Sequence, residues 1–143
     1  MATTTYLQSP TVNITVGATT TDLTDNCSSA TITAAFDALE STAFGDTAHK
    51  FVKGLQNNQI SLTLYTSYGA GEIEATLYDA WNTGACTLVI SPSGTSESAS
   101  NPEYTLTNCM LASFTPISGA FGELATIEAV FQGGALTRDI TAP

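Results

Sequence analysis

Any nucleophilic chemistry in this chain would have to be built from one histidine, His49, and three cysteines, Cys27, Cys86 and Cys109. A thiol nucleophile needs a base within hydrogen-bond reach. No recognisable nucleophile motif surrounds any of the three, and a pairing of one of them with His49 stays open only as the weakest alternative. Serine and threonine are plentiful, yet no G-x-S-x-G elbow encloses them. Glu72 and Glu74 stand two apart in a helical pattern, so they point to different faces and suit the helix dipole better than paired acid–base work. Asp22, Asp25 and Asn26 offer the oxygens that a hard cation such as calcium favours, but their spacing matches no known loop. Gly69 and Gly71 lack the third glycine and the preceding βαβ context of a phosphate-binding turn. These residues predict no enzyme, no metal and no cofactor.

The charge balance narrows the partners. Thirteen acids face three bases (Lys50, Lys53 and Arg138), a formal net charge of −10 over 143 residues. Proteins that grip nucleic acid use Lys and Arg to neutralise phosphates, and this chain has almost none. The surplus of acid fits simple solubility or an active repulsion of nucleic acid. Apolar residues make up 43 % of the chain and charged ones only 11 %, below the roughly 25 % of an average domain. An odd number of cysteines without metal-like spacing reads as separate buried thiols in a reducing compartment. The start, MATTTYLQSP, has neither a basic n-region nor an apolar core of a signal peptide, and no apolar run approaches a membrane span. The expectation is a protein made in a cytoplasm, soluble until it assembles, with no membrane partner.

The elements that must position these residues are mostly strands. Val12–Val16, Ala30–Phe36 running on towards Leu39, Ile60–Leu64 and Ala125–Phe131 each alternate apolar with polar residues, as half-buried antiparallel strands do. Thr87–Ser91 and Tyr104–Phe114 read as further strands, the latter changing parity near Asn108, where a bulge or bend is expected. One segment, Gly71–Asn82, has helical spacing. Ile73, Leu77 and Trp81 should pack on a sheet, with Gly84 placed as the C-terminal cap. Residues 91–102 (SPSGTSESASNP) read as a mobile hairpin tip with nothing to bury. Residues 43–54 (AFGDTAHKFVKG) read as a loop that keeps aromatic side chains, either packed on its own domain or awaiting a partner. The whole chain, 1–143, reads as one domain, with 1–11 as a candidate flexible arm.

The order of short motifs is similar to that of major tail-tube proteins of long-tailed, siphovirus-like phages, in particular those infecting actinobacteria. The run Glu40, Thr42, Phe44, Gly45, Asp46, Thr47 is followed by Gly54, Leu55 and Asn57 and by the alternating strand Ile60, Leu62, Leu64. Pro116–Gly119, Gly122–Thr126 and Leu136, Thr137, Arg138 continue the match, which covers about Asp22 to the C-terminus. The resemblance implies an antiparallel β-sandwich or barrel-like tail-tube fold with one flanking helix. Six copies would join into rings, and stacked rings would form the tube of a virion tail, assembled in the host cytoplasm. The implied partners are other copies of the chain and the tape-measure, tail-terminator and tail-tip proteins. DNA would pass through the lumen without specific binding. A scarcity of basic residues and prolines in the strands is consistent with open edges that a ring-former uses.

The resemblance also implies roles for particular residues. The segment 43–54 corresponds to an inter-ring loop, with Phe44, Phe51 and Val52 packing on the next ring and Asp46, His49, Lys50 and Lys53 as its polar contacts. Asp37, Glu40 and Glu128 are candidate acids of a lumen wall past which DNA could slide. The alternatives are another virion component of similar fold, a head–tail connector or a decoration protein, and a glycan-binding β-module. The last would use a row of exposed aromatics, for which only Tyr6, Tyr65, Tyr68, Tyr78 and Tyr104 stand available.

Overall fold

Alternation of apolar and polar residues builds two antiparallel sheets that share one long strand. The structure, a computed structural model, describes residues 10–141. Ten strands and one helix occur in the order β1 (Thr11–Val16), β2 (Thr19–Asp22), β3 (Cys27–Thr33), β4 (Phe36–Glu40), β5 (Phe51–Gln56), β6 (Gln59–Tyr65), α1 (Ile73–Thr83), β7 (Cys86–Ser91), β8 (Glu103–Phe114), β9 (Thr126–Gln132) and β10 (Ala135–Asp139). The expected N-terminal arm lies outside the described residues except for its last two, of which Thr11 opens β1.

The first sheet runs β2-β1-β7-β8 with β10 also on β8; the second runs β8-β9-β6-β3. Strand β8 belongs to both because it bends at the expected position. Asn108 adopts φ 60°, the left-handed region, and the β7–β8 register slips between Cys86 and Leu88 opposite it. The partner strand breaks at the same height. β9 pairs with Met110–Phe114, β10 pairs with Glu103–Thr107, and Gly133 and Gly134 carry the chain from one to the other. Only glycine fits at 134: its φ is +78°, and an added Cβ would lie 2.3 Å from the Thr107 carbonyl oxygen. The result is one long hairpin, folded across its middle, that closes one sheet onto the other.

Between the sheets lies a single apolar cluster containing Ile14, Leu62, Leu64, Leu88, Leu106 and Phe131, all at most 2 % exposed. The helix covers one side of it through Ile73, Thr76, Leu77 and Ala80. Gly84 caps its C-terminus at φ 89°, as expected, donating its N–H to the Ala80 carbonyl at 3.2 Å. Trp81 departs from expectation. It is 51 % exposed, lying at the rim between Tyr78 and Phe114 with ring centroids 6.0 and 6.3 Å away. Helical periodicity put it on the inner stripe, but Ala80 and Leu77 already fill the space beneath the helix.

Two loop expectations change in the same way. Residues 91–102 do bury something: Asn101 is 4 % exposed, its amide reaching the carbonyls of Thr95 (2.8 Å) and Ser96 (3.3 Å) while its oxygen accepts from the Ser93 N–H at 3.0 Å. The early strand expected to run from Ala30 towards Leu39 breaks at Ala34–Ala35 into β3 and β4.

Candidate functional site

The segment expected as an inter-ring loop is half strand. β4 and β5 pair with each other and with no other strand, forming a two-stranded antiparallel arm with Leu39 opposite Val52 and Glu40 opposite Phe51. Phe51, Val52, Lys53 and Gly54, expected in a loop, lie in its second strand; Phe44, Asp46, His49 and Lys50 form its tip. Glycine at 54 permits the strands to close, since a Cβ there would meet Asp37 at 3.1 Å. The tip is held by hydrogen bonds rather than packing. Ser41 N–H donates to the Lys50 carbonyl (2.8 Å), Lys50 N–H to Thr42 Oγ1 (2.9 Å), and Ala43 N–H to Asp46 Oδ2 (2.7 Å).

Each carboxylate of the tip is engaged. His49 Nδ1 lies 2.5 Å from Glu40 Oε2, and that contact, with a second bond from Thr42, holds the Glu40 carboxyl below its ordinary range. Lys50 Nζ sits 2.7 Å from Asp46 Oδ1 and, with the Ala43 N–H, lowers Asp46 likewise. His49, Glu40 and Lys50 are open to solvent and only Asp46 is partly covered, so the pairs shape the tip more than they stabilise the protein. Lys53 takes another arrangement, its ammonium 4.7 Å from the centre of the Phe36 ring.

The arm's apolar side chains are covered only in part, by one another and by Lys53 and His49 of the arm itself. Phe44 is fully exposed, Leu55 is 80 % exposed, and Phe36, Leu39, Phe51 and Val52 are each about half exposed. A two-stranded ribbon alone is marginal in water. What anchors it is Asn58, a buried residue that the sequence pattern does not single out. Its Oδ1 accepts from the Ala35 N–H (3.3 Å), its Nδ2 donates to Gln56 Oε1 (2.8 Å) and the Gly134 carbonyl (3.2 Å), and its own carbonyl accepts from Gly133 N–H (3.1 Å). One side chain thus ties both arm strands to the glycine kink of the long hairpin.

The candidate lumen acids separate. Glu128 lies on the outward face of the second sheet, in register with Thr63. That face carries Ser29, Thr31, Ser61, Gln59 and Gln132 together with Val130 and Tyr65, so it is mostly hydroxyls and amides and has no base. Asp37 and Glu40 are on the arm instead, because the strand break at Ala34–Ala35 carries them away from the sheet. They share no wall with Glu128 within one subunit.

The chemistry-bearing residues are also dispersed. His49 is at the arm's tip, whereas Cys86 and Cys109 are buried opposite each other on β7 and β8, Sγ to Sγ 3.6 Å. The nearby sulfur and burial keep the Cys86 thiol protonated, far above its ordinary range. They are a pair, not the separate thiols expected. Asp22 Oδ1 accepts from the Thr24 N–H (2.9 Å) in a local turn, and Asn26 Nδ2 donates to the Tyr65 carbonyl at the end of β6 (3.2 Å), so both side chains serve the fold. Among the described residues no group of three His, Cys, Asp or Glu side chains is placed to hold a metal ion, and no helix is long and apolar enough to cross a membrane.

A second exposed apolar segment was not anticipated. The turn of the long hairpin, 115–125, presents Ile117, Phe121 and Leu124, each at least 80 % exposed. The signal was present in the sequence: three large apolar residues inside a Gly- and Pro-containing stretch have no strand partner to face.

No family model matches the chain, and no curated protein matches it. Its fold does have solved counterparts. The SPP1 tail tube superposes with a TM-score of 0.72 at 13 % identity, over 94 % of this chain and 78 % of that one. The sheath/tube terminator of the extracellular contractile injection system PVC gives 0.68 at 14 % identity, over 96 % and 98 %. A chain from the tail of an empty gene transfer agent particle, refined helically with C6 symmetry, gives 0.62 at 14 % identity, over 82 % and 83 %. The chain has a tail-tube fold. The expected β-rich architecture with a single helix is therefore correct, and the likeness extends across nearly the whole chain.

Proposed function

We propose that this protein is a structural subunit of a phage tail tube, of the long-tailed actinobacteriophage type that its motif order resembles. Hexameric rings of the chain stack into a conduit for DNA, located in the virion tail and bounded by terminator, tape-measure and tip proteins. The observation that carries this is the likeness of fold over almost the full chain to the SPP1 tail tube and to a tube terminator. The C6 symmetry of the gene transfer agent tail supports six copies per ring. The exposed arm supplies what a lone domain has no use for, an apolar ribbon carrying two of the three basic residues of an acidic chain.

The conduit needs a wall that does not hold phosphates. The outward face of β3, β6 and β9, mostly hydroxyls and amides with Val130, Tyr65 and Glu128 among them and no base, suits that wall: DNA meets no cation there to neutralise its phosphates. Negative-stain microscopy of concentrated purified protein tests the function. Hollow tubes are expected; a monomer that never assembles at any concentration refutes it. Replacing Glu128 by Lys tests the wall, and unimpaired DNA delivery by tails carrying Glu128→Lys would remove that face from the lumen.

A further inference from the structure

Two apolar, unpartnered features of this chain sit at opposite ends of one sheet. The arm leaves from the end where Thr33, Gln59 and Gln132 stand in register. The hairpin turn 115–125 closes the other end, where Tyr65 pairs with Thr126. The seven residues of β6 separate them by roughly 20 Å. Two complementary patches at opposite ends make a heterologous contact, which repeats from copy to copy without closing on itself along that axis.

We propose that the hairpin turn, Thr115–Ala125, is the seat on which the arm of a second copy docks. This rests on the tail-tube reading and names the acceptor for the arm. Ile117, Phe121 and Leu124 are there to meet Phe44, Phe51 and Leu55, and each set is otherwise exposed to water. Charge runs the same way. The turn carries Glu123, with Glu72 close by through the Ser67–Tyr68 segment; on the arm Lys50 is already paired with Asp46, whereas Lys53 has no carboxylate partner among the described residues and is the cation left to meet them. The seat is formed before docking. Tyr68 Oη donates to the Pro116 carbonyl at 2.9 Å, Thr66 N–H to that of Ala125 at 3.0 Å, and Thr115 and Glu128 bond to each other through Thr115 N–H to the Glu128 carbonyl (3.2 Å) and Glu128 N–H to Thr115 Oγ1 (3.0 Å). A preformed acceptor spares the cost of ordering a loop on binding.

Complementation between two defective variants tests the pairing. Phe44→Ser with Phe51→Ser spoils the arm and keeps the seat; Phe121→Ser with Leu124→Ser spoils the seat and keeps the arm. Each variant alone is expected to give native circular dichroism and no tubes. Mixed, they regain a single junction, so a tagged arm variant retains the seat variant on a column and the pair sediments as one finite species. Phe121→Ala alone, a gentler change, should raise the critical concentration for assembly about tenfold. Seat variants that polymerise like the wild type, or mixtures that associate no better than either variant alone, overturn the seat while leaving the tube subunit intact. A wild-type protein that forms no tubes overturns both.

Discussion

Strands β5 and β6 are neighbours in the chain, of almost equal length and similar apolar content, and they end in opposite environments. In β6, Ile60, Leu62 and Leu64 are at most 2 % exposed; in β5, Phe51, Val52 and Leu55 are all more than half exposed. The difference is not one of hydrophobicity. β6 alternates strictly, so one face can go entirely inward between β3 and β9, whereas Phe51-Val52 and Leu55 fall on both faces of a ribbon with no third strand. A buried strand stabilises its own domain, and a strand exposed on both faces can be covered only by another molecule.

Matched substitutions break or uphold that comparison. The largest effect is expected for Phe131→Ala, which empties the core beside Ile60 and should cost about 3–5 kcal/mol in urea denaturation. Phe51→Ala, the same chemical change on the arm, should stay within about 0.5 kcal/mol while abolishing assembly in light scattering. Comparable losses from the two would mean that the arm packs on its own domain. An intermediate effect is expected at the joint between the regions. Asn58→Ala leaves the Ala35 N–H and Gly134 carbonyl without their partner and should cost about 1–3 kcal/mol, with faster amide exchange concentrated in residues 36–56. The smallest effect belongs to the tip. Glu40 and Asp46 are held ionised below their ordinary range, so their contribution is complete at neutral pH. It is lost only as pH falls through the carboxylate range, roughly pH 4 and below. Amide exchange at Ala43 and Lys50 should rise there while the β6 amides remain protected; a tip indifferent to acid would show that backbone bonds alone hold it.

Much of the body was legible because burial on one face writes itself into the sequence. The alternation in β1, β6 and β9, the helix with its Gly84 cap, and the bend at Asn108 each have a local cause. β2 and β10 were not legible: they are edge strands of four and five residues with almost fully exposed side chains, held by backbone bonds that impose no pattern. The second half of the arm was read as a loop because β5 breaks alternation, and Asn58 escaped notice because a buried asparagine looks like any loop asparagine until its four partners surround it. Trp81 was misplaced because periodicity gives the stripe of a helix, not how wide a stripe the sheet can accept.

The sequence by itself determined the broad character of the protein: acidic, β-rich with a single helix, and carrying aromatic residues in a segment between strands whose covering it left open. Only the tertiary structure decided which apolar residues remain outside, and that they gather at two opposite ends of one sheet. Exposure is a property of what surrounds a side chain. Strand direction, which sets the arm at one end and the hairpin turn at the other, is fixed by pairing between segments some seventy residues apart.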